Sequence, residues 1–143
     1  MKGTGIVVAA ALSLTARAAA ADSVVELTLD GRPVDRYDGA ARLHHGLVFA
    51  DAIDLTKCFD GFITLQRSGA ATITIGPHTG TFTPGMATAT INQTGVRLPA
   101  APYRVNGDLF VPLEFFVTGV AGASVHIGRD QHRADIRVDA RQR

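Results

Sequence analysis

Apolar and polar residues alternate near the start of the chain. From residue 24 to residue 29, apolar side chains stand at every second position, beginning at Val25 and ending at Leu29. A period of two is typical of a strand with one buried face, because successive side chains of a strand point to opposite sides. Asp30-Gly31 follows directly, and this pair predicts a turn.

Residues 96–138 carry a fuller pattern, which predicts a hairpin, a helix and two further strands in that order. Asn106-Gly107 lies between apolar runs and predicts the hairpin turn. Pro112 suits the first position of a helix, because its φ is preset and it has no N–H to leave without a partner. Gly122 predicts the end of that helix after about two to three turns.

The apolar side chains of this helix predict which face is buried. Phe115, Phe116 and Val120 are expected to face a sheet, and Glu114 suits the positive end of the helix dipole. Two adjacent aromatic side chains can also form a ligand site. Core packing is the interpretation we favour for this pair.

Residues 24–75 read as a weaker copy of residues 87–138. When Leu47 is set against Leu109, a separation of 62 residues also pairs several other apolar positions. The Thr-rich residues 71–92 are predicted to form a hairpin that joins the copies. We therefore predict an α+β fold, with two β-rich half-repeats of curved antiparallel sheet that each carry one short packed helix.

The first copy is predicted to have its helix between Asp51 and Gly61. Four apolar side chains are available for its buried face: Ile53, Leu55, Cys58 and Phe59. Cys58 is the only cysteine, so the chain cannot form an internal disulfide. This residue is either a buried apolar side chain or an intermolecular link.

Several motifs together resemble a known family. Asn106-Gly107, the Val-Pro-Leu sequence at 111–113 and the Gly after the helix occur in an order similar to that of the copper amine oxidase N-terminal (stalk) domain. The resemblance covers residues 24–138, and it implies a stand-alone member of a family found in exported bacterial proteins.

The same resemblance implies no oxidase activity, because a stalk domain lies outside the catalytic core. Neither Tyr37 nor Tyr103 lies in the Asn-Tyr-Asp/Glu context of the tyrosine that becomes the quinone cofactor of those enzymes. The chain also departs from the family pattern. Ile127 and Gly128 stand where a Trp and an Asp are expected.

The first 21 residues have the composition of a secretory signal peptide. Lys2 gives a positive start, residues 5–14 form an apolar core, and residues 18–21 are an alanine run suited to cleavage. As a helix, this core is about 15 Å long, which is half the thickness of a bilayer's hydrocarbon region. We therefore predict export to the periplasm or the extracellular space, with no membrane span after cleavage of residues 1–21.

Cleavage at this point would leave one domain, residues 22–138, and a basic tail, residues 139–143. The chain has 14 basic and 13 acidic residues, and the loss of Lys2 and Arg17 leaves 12 basic against 13 acidic. Nucleic acid and anionic membranes are therefore not predicted as partners, because both require a concentrated basic face.

His44 and His45 are the candidates for a metal site. Adjacent histidines in a turn can bind a metal, but a zinc or copper site usually needs three or four ligands that converge. The sequence offers no spacing that supplies the remaining ligands. We predict neither a bound cofactor nor a catalytic residue, since the chain also lacks a Gly-x-Ser-x-Gly motif.

The predicted function is a non-catalytic exported binding or assembly module of the cell envelope. Two alternatives remain open: a metal-binding or redox accessory protein that uses His44 and His45, and a cell-wall polysaccharide-binding accessory. The chain has no Trp and two Tyr, which disfavours sugar binding. The expected partner is an envelope protein or a second copy, bound through strand edges at residues 81–83 and 88–91 or through the mixed-charge, Arg-rich C-terminal face.

Overall fold

The computed structural model describes residues 22–34 and 39–138. The predicted signal peptide, the basic tail and part of the loop expected at 37–41 lie outside these residues. The described residues form helices α1 (Ala52–Cys58) and α2 (Leu113–Gly119). The strands are β1 (Ser23–Leu29), β2 (Arg32–Pro33), β3 (Ala41–His44), β4 (Leu47–Asp51), β5 (Phe62–Leu65), β6 (Ala71–Ile75), β7 (His78–Phe82), β8 (Thr88–Ile91), β9 (Thr94–Arg97), β10 (Tyr103–Val105), β11 (Asp108–Pro112), β12 (Ser124–Ile127) and β13 (Arg133–Arg137).

The strands form two sheets. β5 to β9 make a five-stranded antiparallel meander in sequence order. The other eight strands form a sheet of order β10-β11-β4-β3-β1-β13-β12, and β2 pairs with β1 outside this path. Two β-sheets with two short helices confirm the predicted α+β class.

One strand pair corrects the expectation of purely antiparallel sheet. β1 and β13 run parallel, with Leu27 opposite Ala134 and Leu29 opposite Ile136. Alternation of apolar residues shows which side chains point inward, but it does not show the direction of the neighbouring strand. Parallel neighbours need a long connection, and here nearly the whole chain lies between the two strands.

The predicted free edges at residues 81–83 and 88–91 are also wrong. β7 lies between β6 and β8, and β8 lies between β7 and β9, so both strands are paired on both sides. Residues 71–92 thus form three strands of the meander rather than one joining hairpin. Pro77 and Pro84 flank the strand for which a free edge was expected, and both lie outside the strands, where a missing N–H breaks no ladder bond.

The helices begin directly at the ends of strands. The Asp51 carboxylate accepts hydrogen bonds from the N–H groups of Ile53, at 2.8 Å, and Asp54, at 3.1 Å, and so caps α1. Pro112 is the N-cap of α2 and makes no side-chain cap bond, so Leu113 rather than Pro112 is the first helical residue.

The burial of its side chains also corrects the expected buried face of α2. The buried residues are Leu113, Phe116, Val117 and Val120, which have the i, i+3, i+4, i+7 spacing of one helix face. Phe115 falls outside that stripe and is only partly buried. The expectation that Phe116 and Val120 are buried is confirmed, whereas the expectation for Phe115 is not.

The main core lies where the helices meet both sheets. α1 contacts β4 and β11 of the larger sheet and β5 and β6 of the smaller one. From α2, the Phe116 ring packs against the Phe82 ring of β7, with the ring centroids 6.0 Å apart. Val25 and Leu27, predicted to face inward from β1, are buried in this core.

Candidate functional site

The β3–β4 hairpin carries both histidines that the sequence singled out. His44 ends β3, and His45 and Gly46 form the turn with φ values of 51° and 79°. Asn106 and Gly107 form the β10–β11 turn with nearly the same values, 50° and 88°. Two positive φ values define the turn type whose twist matches that of the flanking strands.

Three rings form a stack on the surface of the larger sheet. The His44 ring lies between the rings of His45 and Tyr103, at centroid distances of 4.0 Å and 3.9 Å. The rings deviate from parallel by 15° and 19°. Pairing of β4 with β11 brings the two hairpins side by side, and this pairing is what places Tyr103 of β10 against His44.

A carboxylate holds the edge of this stack. His44 Nδ1 lies 2.8 Å from one oxygen of Asp22, and the Tyr103 hydroxyl donates a 3.3 Å hydrogen bond to the other. Burial of the ring, followed by the nearby Asp22 charge, raises the pKa of Tyr103 far above its usual value. Tyr103 therefore remains a neutral hydrogen-bond donor at physiological pH.

The arrangement of His44 and His45 does not suit a shared metal ion. Ring-nitrogen lone pairs lie in the plane of each imidazole, and two stacked, nearly parallel planes 4.0 Å apart do not direct them to one point. His44 Nδ1 already faces Asp22. Within residues 22–34 and 39–138, no three His, Cys, Asp or Glu side chains are grouped so as to hold a metal ion.

Two phenylalanines are buried beneath the stack, on the other face of the sheet from the main core. Phe49 lies between the core residues Val48 and Ala50, so the pleat of β4 directs it to the opposite side. Phe110 is related to its neighbours on β11 in the same way. The Tyr103 ring centroid lies 5.0 Å from that of Phe49 and 5.8 Å from that of Phe110.

An open groove runs beside the stack, and we call it the aromatic groove. Its volume is about 610 Å³. Its lining residues are His44, His45, Phe49, Pro84, Gly85, Ala100, Ala101, Pro102, Tyr103 and Arg104. Apart from the two histidines, the tyrosine hydroxyl and the arginine, the side chains of this lining are apolar or absent.

Two sets of hydrogen bonds fix the aromatic groove. The N–H of Gly85 donates to the carbonyl of Pro102 at 2.8 Å, which ties one part of the lining to another. The Arg104 guanidinium donates to the carbonyls of Gly107, at 3.0 Å, and Gly69, at 2.9 Å. The sequence points neither to Tyr103 as a ring partner of His44 nor to Arg104 as part of a site, because strand pairing across the sheet is what places Tyr103 against His44.

The one cysteine has no features of a reactive thiol. Cys58 is partly buried at the end of α1 and borders a second cavity of about 550 Å³. Burial, together with the charge of Asp54, raises the pKa of its thiol to about 11. A thiol with this pKa is almost entirely protonated at neutral pH and is therefore a poor nucleophile.

The free strand edges lie elsewhere than predicted. β5 and β9 are the edges of the smaller sheet, and β10, β12 and the short β2 are those of the larger one. β5 exposes two large apolar side chains, Phe62 with 76% and Leu65 with 61% of its surface accessible.

Among the described residues, no helix has the length and apolar character required to cross a membrane.

Comparison with protein families gives one match. The model of the family described as the copper amine oxidase N-terminal domain matches residues 28–134. This match confirms the resemblance predicted from the motifs between Asn106 and Gly122. The N-terminal domain of those oxidases is a non-catalytic stalk domain. Neither the comparison with characterised proteins nor the one with solved structures gave a match.

Proposed function

Because the chain belongs to the copper amine oxidase N-terminal domain family, we propose that it is a non-catalytic exported module of the cell envelope that binds a protein partner or assembles with other copies of itself. The family supports the non-catalytic part of this proposal. The binding role rests on a feature of the chain itself, the open edge of β5.

The β5 edge has the properties of a strand-addition site. In the hairpin of β5 and β6, the N–H of Gln66 donates a 2.8 Å hydrogen bond to the carbonyl of Ala70. Gln66 and Ala70 are therefore a hydrogen-bonded pair of this hairpin. Since such pairs alternate along antiparallel strands, the backbone groups of Ile63 and Leu65 point away from β6. These groups can pair with a strand from another chain.

The side chains of β5 favour the same role. Natural proteins block free edges with charged residues, prolines or bulges, and the sequence Phe62-Ile63-Thr64-Leu65 has neither charge nor proline. Phe62 and Leu65 lie largely in solvent, where they offer apolar surface to an incoming strand. Strand addition would then combine main-chain hydrogen bonds with side-chain contacts.

Substitution of Leu65 by lysine tests this proposal. The full-length tagged chain, recovered with crosslinking from the cell envelope, should retain a defined protein partner or crosslink to itself. Leu65→Lys should abolish this crosslinking, because it puts a charge on the edge. Met86→Lys is the matched control, since Met86 is also exposed but lies in the connection between β7 and β8 rather than in β5.

Two results would contradict the proposal. Equal crosslinking by the Leu65→Lys variant would remove the β5 edge from the interaction. Sedimentation with isolated peptidoglycan, without any crosslinked protein and with a monomer in solution, would favour the polysaccharide alternative.

Export is tested separately by mass spectrometry of the protein in the envelope fraction. The proposed cleavage gives a mature N-terminus at Ala21 or Asp22. An intact Met1 in that fraction would contradict a cleaved signal peptide.

A further inference from the structure

We propose that the aromatic groove binds an extended, proline-containing peptide segment, with an acidic residue of that segment against Arg104. This binding mode is independent of the β5 edge, because the groove is formed by the β3–β4 and β10–β11 hairpins and the segments around Gly85 and Ala101.

The lining of the groove fits a polyproline-type segment. Proline-rich peptides adopt a preformed left-handed helix and dock their rings into grooves lined by aromatic side chains. Tyr103 and His45 supply flat ring surfaces here, and Pro84 supplies further apolar contact. Gly85, Ala100 and Ala101 have little or no side chain, which leaves room for the rings of a ligand.

The polar atoms of the groove are less suited to a sugar. Sugar recognition requires polar side chains that are free to bond the ring hydroxyls, together with an aromatic face. The Tyr103 hydroxyl and His44 Nδ1 both bond to Asp22 instead. Ring stacking and apolar contact are therefore the main interactions that the groove offers.

Arg104 gives the ligand a direction and a charge preference. Both of its hydrogen-bond acceptors, the carbonyls of Gly107 and Gly69, are neutral, so these bonds orient the guanidinium without neutralising its charge. The side chain is exposed and borders the groove. A carboxylate next to the proline-containing part of a peptide would form a charge-assisted hydrogen bond with it.

The groove is also held in shape before any ligand binds. The Gly85–Pro102 hydrogen bond connects parts of its lining, and the stack of His45, His44 and Tyr103 fixes the rings. A site that is already ordered loses less conformational entropy when it binds. Short peptides of the right chemistry should therefore bind measurably by themselves.

The test is a titration of the full mature chain, labelled with ¹⁵N, with the peptide acetyl-Ala-Pro-Ala-Pro-Pro-Glu-amide, followed by NMR. The amide signals of the groove residues should shift, while those of β5 should not. A matched peptide with Gln in place of Glu should bind roughly two- to fivefold more weakly, as expected for one exposed charge pair.

Variants separate stacking, charge and access. Ala101→Gln should weaken binding about tenfold or more by filling the groove without touching the core. Arg104→Gln should remove the preference for Glu over Gln. Tyr103→Ala should weaken binding by a similar factor, because it removes a ring against which the peptide packs. The unchanged fold of each variant can be checked from its NMR spectrum.

Three results would overturn the proposal. One is the absence of groove shifts at millimolar peptide. Another is groove shifts with chito-oligosaccharides but not with the peptide. The third is groove shifts that follow protein concentration alone, which would indicate a second copy as occupant. Failure of this test would leave the β5-edge proposal standing, since the two use different surfaces.

Discussion

The chain contains two segments, residues 41–75 and 103–137, in which a hairpin, a helix and a second hairpin follow one another. Both first hairpins have a turn with two positive φ values, and both helices begin at the end of the hairpin's second strand. The last strands differ. β6 pairs with β7, its immediate successor, whereas β13 pairs in parallel with β1 from the other end of the chain. The same local order can therefore end in different sheets, because the pairing depends on which strand is available.

The two segments also start their helices differently. Asp51 caps α1 with its side chain, and Pro112, 61 residues later, gives α2 no such bond. The helices are thus 61 residues apart rather than the 62 expected from Leu47 and Leu109. β5 and β12 are 62 apart, because the link after α2 is one residue longer. The repeat as a relation between the two sequences stays a prediction.

Removal of the whole second segment should have the largest effect. A chain that ends after Gly85 lacks β8 to β13 and α2, so β1, β4 and β7 each lose a neighbour. We expect it to be unfolded or aggregated, because open strands and uncovered apolar surface remain. Thermal denaturation followed by circular dichroism should show one cooperative transition for residues 22–143 and none for the shortened chain. Two separate transitions in the longer chain would mean that the segments fold independently.

The next largest effect on stability is expected from truncation of one core side chain in each helix. Leu55 and Phe116 are both fully buried and occupy corresponding positions of α1 and α2. Phe116→Ala should lower the free energy of unfolding by about 3–5 kcal/mol and Leu55→Ala by about 2–5 kcal/mol. Phe115→Ala is the control, and its effect should be clearly smaller because Phe115 is only partly buried. Urea denaturation measures all three, and an equal loss for Phe115 and Phe116 would contradict the observed face of α2.

The difference between the helix caps should have a smaller effect. Asp51→Ala removes two cap hydrogen bonds and should cost about 0.5–2 kcal/mol. Asp51→Asn should retain most of that stability, since asparagine caps helices about as well as aspartate. The same denaturation experiment compares them. Equal losses in the two variants would show that the charge of Asp51, rather than its cap bonds, is what matters.

The smallest effect on stability is expected from hydrogen bonds of β13 and β6, the last strands of the two segments. Thr28 donates a hydrogen bond to Asp135 between β1 and β13, and this bond, ahead of the nearby arginines, lowers the pKa of Asp135 below its usual value of 3.8. The contribution of the ionised Asp135 to stability is therefore present above pH 3.8, and it is lost as the pH falls through the lower pKa that Asp135 has in the folded state.

The corresponding contact between β6 and β7 joins two uncharged groups, the hydroxyls of Thr72 and Thr81, at 3.0 Å. Thr28→Val should therefore reduce the acid-induced loss of stability, and Thr72→Val should leave it unchanged. Melting temperatures measured from pH 5 to pH 2.5 provide the comparison. An identical pH dependence in both variants would show that Asp135 does not contribute to it.

The candidate site depends on contacts between residues that are far apart in the sequence. His44 and His45 drew attention as neighbouring histidines, and a metal was the chemistry that such a pair suggested. Tyr103 and Asp22 lie 59 and 22 residues from His44, and no pattern in the sequence relates them. Only the pairing of β4 with β11 and of β1 with β3 brings these side chains together.

The sequence by itself determined the features that depend on neighbouring residues. The Asn-Gly turn, the helix between Asp51 and Gly61, the alternation in β1 and the family could all be read from short stretches, because local geometry and face periodicity act over a few residues. The tertiary structure decided the parallel β1–β13 pair, the interior position of β7 and β8, and the assembly of the aromatic groove. These depend on which distant strands become neighbours, and that choice is made by the joint burial of apolar faces rather than by any local preference.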